Sequence, residues 1–118
     1  MMLPLPPVLE RRLDGDALIL TLDMVPELAH FQGHFPGNPI LPGVAQLDWA
    51  ARFGAAHFGL SLACKRLEGV KFQALVLPGQ VLTLTLCYDA AKGRLHFHFA
   101  SPRGVHSSGK LALAREAA

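Results

Sequence analysis

The chain has 118 residues, a length that fits one domain spanning 1–118. It is 51% hydrophobic and 17% charged with a net charge of +2, which excludes a disordered chain and gives no basis for nucleic-acid binding. Cys64 and Cys87 form neither a disulfide framework nor a close-spaced metal pair, and no stretch reaches membrane-spanning length, so a reduced cytoplasmic setting is expected.

In chain order, Val8–Leu13 and Ala17–Asp23 are expected as two strands joined by the turn Asp14-Gly15-Asp16. Leu18, Leu20 and Leu22 alternate with Ile19 and Thr21, the period of a half-buried sheet. Val25–Ala29 reads as one short helical turn. Residues 31 to 43, FQGHFPGNPILPG, hold three prolines and three glycines, too many breakers for regular structure. The text then changes to VAQLDWAARFGAAHFG, where Val44, Leu47, Ala51, Ala55 and Phe58 recur near helical spacing. Pro42-Gly43 opens this helix and Gly59 closes it. Its polar content is small, so most of its sides are expected to be covered.

Only strands are expected after the helix. They are Arg66–Leu77, Val81–Tyr88, Arg94–Ala100 and Val105–Ala114, separated by turns at Pro78-Gly79, Ala91–Gly93 and Ser101–Gly104. Six strands and one apolar helix give an α+β architecture, an antiparallel sheet wrapped around a single central helix in the hot-dog layout. One helix cannot cover such a sheet entirely, and the apolar excess points the same way, so a dimer is the default.

Three residues of one segment could carry chemistry. His34 sits among prolines that fix backbone angles and glycines that permit tight turns, a rigid mount for a side chain suited to proton transfer near neutrality. A histidine that merely hydrogen-bonds its own loop fits the same facts. Asp48, fourteen positions later, lies in an otherwise apolar helix and needs a partner or a purpose. Arg52 at i+4 offers the plain explanation, a helix ion pair contributing about 0.3–0.5 kcal/mol. Gly43, at the helix start, has an N–H and a dipole that could hold a carbonyl oxygen gaining negative charge. Together the three make a candidate site for proton abstraction beside a carbonyl.

The segment GHFPGNPILPGVAQLD resembles the active-site segment of the beta-hydroxyacyl-(acyl-carrier-protein) dehydratases of fatty-acid synthesis. There a histidine in a GHFPG-type loop is followed, at this spacing, by Glu or Asp on the central helix. GVKFQALVLPGQVLTL resembles that family's Lys-Phe, Val-x-Pro-Gly and apolar alternation, so the likeness covers roughly residues 8 to 113. The wording GVAQLDWA is closer to dehydratases of aryl-polyene clusters than to the housekeeping enzymes.

The resemblance implies that His34 removes the alpha proton of a 3-hydroxyacyl thioester. Asp48 of a partner subunit would protonate or orient the departing hydroxyl, and the Gly43 N–H would hold the thioester carbonyl. It implies a substrate on acyl carrier protein, an acyl tunnel along the dimer interface, a homodimer with a higher oligomer or a hot-dog heterodimer as alternatives, and chemistry without metal or organic cofactor. The chain departs from the pattern in three places. The family's Leu-Pro-His-Arg-Tyr-Pro-like run is absent, Arg52 stands where glutamine is usual, and Gln80 stands where Asp is frequent. Arg52 beside the acid favours its charged form and so makes it a poorer proton donor.

Other residues read more plainly. His96 and His98 share one strand face without a third metal ligand, so an outer sheet face is expected. His30, His57 and His106 read as surface or loop residues, Trp49 as core or interface, and Phe31 and Phe35 as shielding or packing around His34. Two rival functions remain beside dehydration. One is a hot-dog thioesterase, and the other is a non-catalytic subunit pairing with a second hot-dog protein.

Overall fold

The computed structural model describes residues 3–31 and 40–116. Strands β1 (Val8–Asp14) and β2 (Ala17–Asp23) are followed by a short 3-10 turn, Ala29–Phe31, and by helix α1 (Gly43–Phe58). Strands β3 (Leu67–Phe72), β4 (Val81–Asp89), β5 (Arg94–Ser101) and β6 (Gly104–Ala112) complete the chain. All six strands form one antiparallel sheet in the order β1-β2-β4-β5-β6-β3. This is the expected hot-dog layout.

The alternation in β2 and β4 does what its period requires. Leu18, Leu20 and Leu22 pair with Leu86, Leu84 and Leu82, and all six side chains are buried toward α1. From the helix, Ala45, Trp49, Ala50 and Gly54 are buried against this face. Gly59 ends the helix in the left-handed region at φ 69°, donating its N–H to the Ala55 carbonyl. The helix is less covered than expected. Arg52 and Ala56 are exposed, and Val44 is 70% exposed, so one flank of α1 is open in the single chain.

Gly54 sets how closely the helix approaches the sheet. A Cβ there would lie 2.4 Å from Cδ2 of the fully buried Leu95. Gly54→Ala is therefore expected to lower stability despite alanine's helix preference. Overpacking a core costs about 1–3 kcal/mol against a gain near 1 kcal/mol, and a urea midpoint below the wild type's checks the sign.

Two strand ends differ from expectation, for one reason. The strand expected to run to Leu77 stops at Phe72, because the Gln73 and Ala74 N–H groups both turn to the His106 carbonyl, at 2.9 and 3.3 Å. The strand expected to reach Ala114 stops at Ala112, where Leu113 donates to Gly93 and Ala114 accepts from Ser61. At both edges the backbone finds tertiary partners in place of the ladder.

The sheet's two edge strands are unlike. Every residue of β1 is exposed, four of its seven are charged (Glu10, Arg11, Arg12, Asp14), and its pairing with β2 is interrupted between Val8 and Glu10. Strand β3 carries Leu67 and Phe72, both about half exposed. It is tied across the sheet by Glu68, whose carboxylate accepts from Arg94 Nε on β5. That hydrogen bond, reinforced by the charges of Arg94, Arg66 and Lys110, holds the Glu68 carboxyl below its ordinary value.

Candidate active site

The start of α1 is the centre of the candidate site. Pro42 caps the helix in extended conformation (φ −63°, ψ 147°) and contributes no side-chain hydrogen bond, so the first-turn N–H groups lack a side-chain acceptor there. Gly43 is the first helical residue. Among the described residues, none accepts from its N–H. The far edge of the Phe72 ring lies above it, and a Cβ on Gly43 would come within 2.8 Å of Phe72 Cζ. Leu41, two residues earlier, donates its N–H to the Val76 carbonyl at 3.0 Å, which ties the approach to the helix onto the segment after β3.

Asp48 and Arg52 form the i,i+4 pair. Arg52 Nε–H is shared between the two Asp48 carboxylate oxygens at 3.0 and 2.9 Å. The side chains are 43% and 52% exposed, so water screens the pair and its stabilising effect stays near that of an ordinary helix pair. Its weight is in orientation, since both oxygens are aimed at one donor while each keeps a free lone pair. His34, with Gly33, Phe35 and the rest of 32–39, lies outside the described residues.

Two polar side chains, Gln46 and His106, are buried. Gln46, three residues after Gly43, is buried, and its Oε1 accepts from Ser107 Oγ–H on β6 at 2.6 Å. Removing one member of such a pair strands the other, whereas removing both together spares that penalty. Ser107→Ala is expected to cost about 1–3 kcal/mol and Gln46→Leu a similar amount. The double variant should lose less than the sum of the singles, in denaturant titrations of all four proteins.

The second group is His106, read from the sequence as a surface or loop residue. That reading is wrong: His106 is 1% exposed. Its Nδ1 lies 3.0 Å from the Leu75 carbonyl oxygen and its Nε2 2.7 Å from Ser101 Oγ. A carbonyl only accepts, so Nδ1 carries a proton. A polar residue in an apolar helix could have flagged Gln46; nothing local to the sequence flags His106.

His96 and His98 are exposed on the outer sheet face as expected, beside Cys87, Lys71 and Lys110 in a groove of about 500 Å³. Among the described residues no group of three or more His, Cys, Asp or Glu is placed to hold a metal ion. His57 is not a free surface residue, since its Nδ1 accepts from Arg11 at 2.9 Å. His30 packs edge-on against Trp49, which is fully buried. Gln80, the departure after VLPG, closes that turn, its Oε1 accepting from the Leu77 N–H at 2.9 Å.

The profile of the ApeI-like family, described as ApeI dehydratase, matches residues 10–110. The chain belongs to the ApeI-like dehydratase family. A chain of the dehydratase heterocomplex ApeI:P from Xenorhabdus doucetiae superposes with a TM-score of 0.84 at 34% identity, covering 93% of this chain and 98% of that one. An uncharacterised protein from Erwinia carotovora subsp. atroseptica gives a TM-score of 0.77 at 36% identity, covering 97% and 98%. The 3-hydroxyacyl-(acyl-carrier-protein) dehydratase FabZ of Oenococcus oeni is 33% identical over 88 residues, 69% of this chain and 63% of that protein. The chain thus spans less than two-thirds of the length of the curated relatives it matches. No helix among the described residues is long and apolar enough to cross a membrane.

Proposed function

We propose that this ApeI-like chain dehydrates a 3-hydroxyacyl thioester carried on acyl carrier protein to the trans-2-enoyl thioester, in fatty-acid-like or aryl-polyene synthesis. The observation that carries the reading is Gly43, a helix-start N–H with no acceptor among the described residues. His34 takes the proton from the carbon next to the thioester carbonyl. The carbonyl oxygen gains negative charge as the carbon–carbon double bond begins to form, and the Gly43 N–H stabilises it. Asp48 of the partner subunit, paired with Arg52 on its own helix, accepts a hydrogen bond from the 3-hydroxyl and aims it. That hydroxyl leaves with the proton held by His34, so one water departs and no electrons are exchanged.

The site is completed by a second hot-dog subunit. Leu67 and Phe72 of edge strand β3, Leu75 (60% exposed) and Val44 are apolar and uncovered, and the Phe72 ring lies against Gly43. A partner seated there would bury these side chains and bring its Asp48 to this chain's His34. The structural neighbour in a dehydratase heterocomplex supports a partner of a second kind as well as a second copy. The test is to incubate the chain, alone and with a co-expressed hot-dog partner, with a 3-hydroxyacyl-carrier protein and follow the mass of the carrier. Loss of one water is expected; release of free thiol would make the protein a thioesterase. An unchanged substrate under both conditions would leave the non-catalytic reading in place.

A further inference from the structure

The ladder between β5 and β6 pairs Phe99 with Ser107 but Ala100 with Val105, so His106 is the extra residue of a β-bulge. Bulges re-aim side chains and release backbone groups from the ladder. Here all the released groups converge on one target. The His106 carbonyl accepts from Gln73 and Ala74, and its Nδ1–H donates to Leu75, so three consecutive residues of the segment after β3 are fastened to a single residue. Ser101 Oγ, itself accepting from the Arg103 N–H, holds the far side of the ring. The fastened segment then delivers the Val76 carbonyl to the Leu41 N–H and, at its other end, the Phe72 ring to Gly43.

We propose that His106 is a positioning residue for Gly43, acting through residues 72–76 and Leu41 on the direction of the N–H at the start of α1. The proposal rests on the reading of Gly43 as the donor to the thioester oxygen. A buried histidine that only holds β6 to its neighbours would stabilise the fold without touching that amide. The His106 contacts hold residues 73–75, which lie between Phe72, beside Gly43, and Val76, the acceptor of the Leu41 N–H.

The test compares the wild type, His106→Leu and His106→Asn in the full chain. Amide resonances are read without substrate, and dehydration of a 3-hydroxyacyl-carrier protein is read at steady state. Asparagine keeps an N–H near the position of Nδ1; leucine keeps volume and no donor. His106→Leu is expected to move the Leu41 and Gly43 amide resonances. It should lower kcat about tenfold or more with KM within about threefold, since small misplacements of a catalytic group cost rate more than binding. His106→Asn should return both resonances toward wild type and recover most of kcat. Unmoved Leu41 and Gly43 resonances in a folded His106→Leu protein overturn the proposal, as does a kcat loss that asparagine leaves unrescued. Where His106→Leu does not fold, Ser101→Ala removes the other side-chain bond and should shift the same resonances less; unshifted resonances there overturn it too. A wild type without turnover whose resonances nonetheless respond would uphold the His106–Gly43 linkage and sink the dehydratase reading alone.

Discussion

Gly43→Pro is expected to leave the fold standing and to lower dehydration by about 10²–10³-fold, some 2.7–4 kcal/mol of lost transition-state stabilisation. Proline is tolerated at the first helical position, where its missing N–H takes no part in the helix. The residue before it must be extended, and Pro42 already is, with ψ 147°. The new ring atoms approach the edge of Phe72, but Phe72 is 52% exposed and can swing outward. The substitution therefore removes one hydrogen-bond donor and little else. Gly43→Ala, which keeps the N–H and adds only a methyl, should retain far more activity. A folded proline variant with wild-type turnover would show that the thioester oxygen is held elsewhere.

His34→Ala is expected to be as damaging or more so, lowering kcat by about 10²–10⁴-fold, the range for a general base acting in the transition state. The expectation rests on the sequence register, a histidine fourteen residues ahead of Asp48 on the central helix. The loss should fall on kcat with KM little changed, because the imidazole contributes to proton transfer rather than to holding the acyl chain. Single-turnover mass measurement of carrier-bound substrate separates this from a folding defect when run beside thermal unfolding. An Ala variant within threefold of wild type would remove His34 from the mechanism and favour a histidine confined to its own loop.

Much of the architecture was legible because periodicity is local. The alternations in β2 and β4 and the Pro42-Gly43 and Gly59 boundaries of α1 require no knowledge of distant contacts. The Asp48–Arg52 pair is equally local, since i and i+4 meet on any helix. What escaped the sequence depends on residues far apart in it. Strand β3 ends where it does because the His106 carbonyl claims the next two N–H groups. His106 is buried because a bulge turns it toward Leu75, and no feature of the text VHSSG announces a bulge. Gln46 meets Ser107 across 61 positions. The helix that carries Gly43 and Asp48 was thus readable, while the contacts that frame its start were not.

The two edge strands, β1 and β3, decide whether strands of another chain can extend the sheet. An exposed strand edge can recruit further strands, and charged side chains and bulges discourage it. Strand β1 has both devices, with four charges among seven residues and a broken register at Val8–Glu10. Strand β3 also has two charges, Glu68 and Lys71, and a register break between them, and adds the half-exposed apolar Leu67 and Phe72. Both borders of the sheet therefore discourage a continued ladder, and what sets β3 apart is the pair of apolar side chains it leaves to be covered by contact rather than by strand pairing.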